Sequence, residues 1–91
     1  MSYAIEWTSG ARRAFSDLPI EVQEVILDEL DRLADAGDLL PRRPLPLTID
    51  HDTRVDAAAG AHYVFVRAKY EPPRQILVVI RLGHHLRANP T

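Results

Sequence analysis

The sequence predicts an α+β fold in which two helices near the N-terminus pack on one face of a small, mainly antiparallel sheet. Apolar residues recur at helical spacing between positions 11 and 33, while the segments after position 53 alternate or run apolar with β-branched character. Prolines and glycines separate the two regimes. The chain has 91 residues, which is enough for one domain spanning 1–91 and a single core.

Tyr3-Ala4-Ile5-Glu6-Trp7 mixes aromatic and β-branched residues and suits a first strand. Thr8 and Ser9 offer capping oxygens to a short helix from Gly10 to Asp17, in which Ala11, Ala14, Phe15 and Leu18 share a face. That helix ends at Leu18-Pro19, because proline has no amide donor, and Pro19 opens a second helix. Val22, Val25, Ile26, Leu30 and Leu33 form its apolar stripe, and Gly37 reads as its C-terminal stop.

Prolines 41, 44 and 46 make the segment from Asp38 to Asp52 an extended connection with at most one short edge strand. A connection of that length is often functional, so Arg42 and Arg43 are candidate contacts, although a solvated loop is the plainer explanation. Thr53 to Ala59 is a candidate strand that leads through Gly60 into His62–Tyr70. Pro72-Pro73 then turns the chain into the strongest strand, Gln75 to Leu82. Three strands joined by short turns form a meander, which the helices must cover on one side to bury their stripes.

The net charge is −2 and the sequence pI about 6.0, so the chain as a whole lacks the basic footprint of a strong nucleic-acid binder. Charge is unevenly placed, with acids dominating from Asp17 to Asp38 and cations from Arg67 to Arg87. Absence of cysteine excludes disulfides, thiolate catalysis and Cys-based zinc sites. The histidines show no metal-ligand spacing, so neither metal nor cofactor is expected. The longest uncharged apolar run, Ile76 to Ile80, is too short to span a bilayer, and the N-terminus has no leader pattern, so a cytoplasmic location without membrane contact is expected.

Strand alternation puts Val64, Val66 and Ala68 on one face and Tyr63, Phe65, Arg67 and Lys69 on the other. In the last strand Ile76, Val78, Ile80 and Leu82 share one face and Leu77, Val79 and Arg81 the other, so the helices cover Ile76, Val78 and Ile80. The open face then gathers Tyr63, Arg67, Lys69 and Arg81 around Phe65 and Val79. Cations there would neutralise phosphates while aromatic rings stack on bases. A half-solvated face with snorkelling stems would look the same. His51 and His62 stand alone, without a pairing pattern.

The order of elements, with Tyr3-x-Ile5-x-Trp7, Ala11-Arg12-Arg13-Ala14-Phe15, the Leu18-Pro19 break, Val22 through Leu33, and Leu77-Val78-Val79-Ile80-Arg81-Leu82-Gly83-His84, resembles the RelE/ParE toxin superfamily of type II toxin–antitoxin systems. The resemblance spans nearly the whole chain. It implies a toxin held silent by a cognate antitoxin. A RelE-like member would cut mRNA on the ribosome without metal, by 2′-hydroxyl attack. A ParE-like member would inhibit DNA gyrase without nuclease activity, and a degenerate member would only bind the antitoxin.

The resemblance implies that Arg81, which matches the family's arginine before a Gly-His pair, stabilises phosphate charge. Tyr63 stands where the family's middle strand carries arginine, and the family's terminal tyrosine is missing here. His84 and His85 are candidates for proton transfer, and by parity His85 faces Tyr63 and Arg81 if the strand continues through Gly83. Arg67, Lys69, Arg42, Arg43 and Arg87 complete the expected RNA contacts.

Overall fold

The computed structural model of the protein describes residues 3–40 and 47–89. Its elements are β1 (Ala4–Trp7), α1 (Ser9–Ser16), α2 (Ile20–Ala36), a 3₁₀ turn (Gly37–Leu39), β2 (Leu47–Ala57), β3 (Gly60–Glu71) and β4 (Ile76–Ala88). The four strands form one mixed sheet in the order β1-β4-β3-β2, with β1 parallel to β4 and the other two pairings antiparallel. The fold is α+β, but the helices are not the first elements, since β1 precedes them.

Local chemistry starts and stops the helices. The Thr8 hydroxyl accepts from the Ala11 amide at 3.2 Å and so caps α1. Pro19 is the N-cap of α2, as its fixed φ suits. The Gln23 carboxamide donates to the carbonyls of Phe15 and Leu18, at 3.1 and 2.9 Å, and so satisfies the exposed end of α1. Gly37 caps α2 in a right-handed conformation, with φ −59°. Glycine is required there by space rather than by torsion, because a Cβ would lie 2.8 Å from the Tyr3 ring. Tyr3 in turn donates its amide to the Ala34 carbonyl and sets its ring edge-on to Tyr70, whose hydroxyl donates to the Leu33 carbonyl at 2.6 Å.

Val22, Ile26, Leu30 and Ala34 of α2 pack on Val64, Val66 and Ala68 of β3, and on Leu77, Val79 and Leu82 of β4. The β3 half of this core has the expected parity. The β4 half does not, because Leu77 and Val79 are fully buried while Ile76, Val78 and Ile80 are only partly so. A bulge causes the inversion. Arg67 pairs with Arg81 but Ala68 pairs with Val79, so Ile80 is an extra residue opposite the β3 ladder. One inserted residue reverses which side chains face the helices, which moves Val79 into the core and leaves Arg81 on the open face.

The structure extends two strands beyond the sequence expectation. β2 begins at Leu47 rather than Thr53, and β4 continues through Gly83 to Ala88 rather than ending at Leu82. β2 is a sheet edge with Ile49, His51, Thr53 and Val55 half-buried on its inner side and acids outside. Its weak inner apolarity hides the alternation. Gly60, at φ 144°, begins β3 after a two-residue turn at Ala58-Ala59, and its missing Cβ would lie 2.3 Å from the Arg87 carbonyl oxygen. Among the described residues no helix is long and apolar enough to cross a membrane.

Two stability outcomes follow from this packing. Leu77→Ala is expected to lose about 2–5 kcal/mol in urea unfolding, whereas Ile80→Ala, on the looser side of the bulge, loses much less. Thr8 also donates its hydroxyl proton to the Ile80 carbonyl at 2.8 Å, so Thr8→Ala removes a cap and leaves that carbonyl unpaired. A loss of about 1–2 kcal/mol is expected, largely restored by Thr8→Ser.

Candidate functional site

The open face of the sheet is organised as rungs running from β2 through β3 to β4. Asp50, Arg67 and Arg81 form one, Asp52, Phe65 and Gly83 the next, and Arg54, Tyr63 and His85 a third. Cross-strand partners share a face, so these side chains point away from the helices. The expected grouping of Tyr63, Phe65, Arg67 and Arg81 is therefore present, joined by His85 as parity through Gly83 requires. Val79 is absent from it, having turned into the core at the bulge.

Charge on this face is graded from strand to strand. On β2, Asp50 accepts two hydrogen bonds from Arg67, at 2.8 and 3.2 Å, which lower its pKa and raise that of the guanidinium. Arg54 donates to Asp56 at 3.0 Å, which raises the Arg54 pKa, and sits 5.7 Å from the centre of the Tyr63 ring. Lys69 pairs with Glu71 at 3.1 Å, holding that carboxyl below its ordinary value. Arg67 and Lys69 thus spend their charge on neighbouring carboxylates. Along β4, by contrast, Arg81, His85 and Arg87 project on one side, at intervals of four and two residues, with no ion pair among the described residues.

Between the second and third rungs lies an open depression of about 620 Å³. Phe65 and Asp52 line one side of it, Tyr63, Arg54 and His85 the other, with Gly83 leaving the β4 margin low. A Cβ on Gly83 would meet only the Phe65 Cβ, at 3.9 Å. Folding therefore does not demand glycine there, and its effect is to keep the space open.

His84 belongs elsewhere. Its ring lies on the helix side of β4, where Nε2 is 2.9 Å from Nδ1 of His62, and the two rings stack with centroids 5.1 Å apart. His62 is itself buried, so it is not a lone residue as its sequence context suggests. His51 also has a partner, the Glu29 carboxylate of α2 at 3.2 Å. Both contacts join residues 22 apart in sequence, and only the strand register and helix docking reveal them. Of the proton-transfer candidates, His85 shares the open face with Arg81 and Tyr63, and His84 does not. Arg42 and Arg43 lie outside the described residues.

Among the described residues no group of three or more His, Cys, Asp or Glu could hold a metal ion. In comparisons with known proteins, no family model, curated protein or solved structure matches the chain.

Burial, followed by the nearness of His62 and His85, lowers the His84 pKa below the ordinary 6.5. The unfolded chain then takes up this proton more readily than the folded one, so the His84 contribution is intact above 6.5 and declines as pH falls below it. Urea midpoints measured between about pH 7.5 and 5.5 are expected to drop with acidification. His84→Gln should flatten that slope.

Proposed function

We propose that this chain is the toxin of a type II toxin–antitoxin pair, acting as a RelE-like, metal-independent mRNA endoribonuclease on the ribosome in the cytoplasm. The observation that carries the reading is the outward row of β4, where Arg81, His85 and Arg87 have no ion pair among the described residues and stand beside two aromatic rings, while the carboxylates gather on β2. Two further features support it. The element order of strand, two helices and three-stranded meander is the one on which the RelE/ParE resemblance rests. The bulge at Ile80 turns Arg81, the residue that matches the family's arginine, out of the core.

In this reading the ribose 2′-oxygen attacks the adjacent phosphorus and the bond to the 5′-oxygen breaks. The products are a 2′,3′-cyclic phosphate and a free 5′-hydroxyl. His85 accepts the 2′-hydroxyl proton, Arg81 stabilises the charge on the phosphorane oxygens, and the leaving oxygen takes a proton from solvent. The space above Gly83 lets the two side chains converge on one phosphate. Arg87 continues the row toward a neighbouring phosphate, and Tyr63 faces His85 from β3.

Exposed apolar residues suit a protein partner as well. Ile20 on α2 is 74% exposed and Leu39 87% exposed, surface that a cognate antitoxin would cover. A ParE-like reading, inhibition of DNA gyrase by contact, draws on a separate observation. Arg54, Arg67 and Lys69 are each neutralised, which leaves the β2 half of the face with little attraction for nucleic acid.

The deciding experiment is incubation of the purified protein with translating ribosomes, followed by mapping of RNA ends. New 5′-hydroxyl ends are expected, reduced about 10²–10³-fold in rate for Arg81→Ala at unchanged thermal stability. Intact RNA together with inhibited supercoiling would select the gyrase reading instead.

A further inference from the structure

Phe65 and Tyr63 are two residues apart on β3 and project from the same face, with the depression between them. Two strand steps separate such side chains by about 6.8 Å. Stacked bases lie about 3.4 Å apart, so the interval suits one planar ring inserted between two others. Across the sheet, β4 and β2 are separated by about 9.6 Å, twice the strand spacing. That distance allows a nucleotide to lie with its phosphate on the β4 row and the far edge of its base over β2.

The β2 margin of this slot is chemically specific. Asp50 and Asp56 are both committed to arginines, but Asp52, at the slot, has no hydrogen bond or ion pair among the described residues. Its neighbour Arg54 uses Nε for Asp56, and its terminal nitrogens carry no other hydrogen bond among the described residues. The margin therefore offers a carboxylate that accepts twice beside a guanidinium that donates. Guanine is the base whose pairing edge is complementary. Its N1–H and N2–H₂ donors sit side by side next to the O6 acceptor. Adenine, cytosine and uracil each turn an acceptor toward at least one carboxylate oxygen.

We infer that the Phe65–Tyr63 slot binds a guanine base of single-stranded RNA, with Asp52 accepting from N1–H and N2–H₂ and Arg54 donating to O6. Gly83 keeps the β4 side open for the sugar, and Arg81 holds the phosphate. The inference rests on the RNA reading proposed above and adds base selectivity to it.

The test is fluorescence anisotropy with labelled hexauridylate RNAs carrying one central guanine, inosine or adenine, and a 2′-deoxy sugar at that position to prevent cleavage. The guanine oligomer is expected to bind about ten- to a hundred-fold more tightly than the adenine oligomer, with inosine, which lacks the 2-amino group, between them. Asp52→Asn should abolish the difference. Asp35→Asn removes the same charge on α2, away from the slot, so it should shift affinity for all three alike. Equal binding of guanine and adenine oligomers, or a preference that survives in Asp52→Asn, would overturn guanine selection while leaving RNA binding standing. No binding to any of the three would overturn both.

Discussion

One hydroxyl group connects the two halves of this fold. Thr8 accepts the Ala11 amide and donates to the carbonyl of Ile80, while its backbone amide donates to Val79 at 3.1 Å. The same residue thus starts α1, ends the parallel pairing of β1 with β4, and anchors β4 at the point where its register against β3 slips. A bulge leaves a backbone group without its ladder partner, and an unpaired carbonyl at a half-buried position is costly. Thr8 supplies that partner. The slip is what allows β4 to bury Leu77 and Val79 near the helices and still present Arg81, His85 and Arg87 to solvent farther along.

The two faces of the distal sheet consequently have different chemistry. The helix side carries the contact between His62 and His84, where burial and the nearness of the other histidines lower the pKa of His84. The open side carries guanidinium groups, carboxylates and two aromatic rings in ordered rungs. Asp50 on β2 neutralises Arg67 on β3, Glu71 neutralises Lys69 and Asp56 neutralises Arg54, so among the described residues of this face the cations without an ion pair lie on β4. This separation lets a chain with a net charge of −2 keep a locally basic strip along β4. A ligand with phosphate at one end and a hydrogen-bonding ring at the other matches both the gradient and the width of the sheet.

Much of the fold was legible in the chain. The helical stripes through Val22 and Leu30, the Pro19 junction and the β3 alternation of Val64, Val66 and Ala68 all depend on local periodicity, and each appears where that periodicity places it. The position of β2 was less legible, because an edge strand with His51 and Thr53 on its inner side has too little apolar contrast to mark its start. The face assignment along β4 was inverted before Ile80, where Leu77 and Val79 rather than Ile76 and Val78 meet the helices, and correct beyond it. The open-face group survived this error because Arg81, Gly83 and His85 all lie beyond the inserted residue.

By itself the sequence determined the succession of elements, the helix boundaries and the identity of the open-face residues on β3, since these follow from spacing and side-chain shape within a few residues. Tertiary structure decided the bulge, the pairing of His62 with His84, and the distinction between occupied and free charges. Each of these depends on a partner far away in the chain: Thr8 for Ile80, His84 for His62, Asp50 for Arg67. Local pattern carries no information about which distant group will arrive within hydrogen-bonding distance, and that proximity exists only once the strands have found their register.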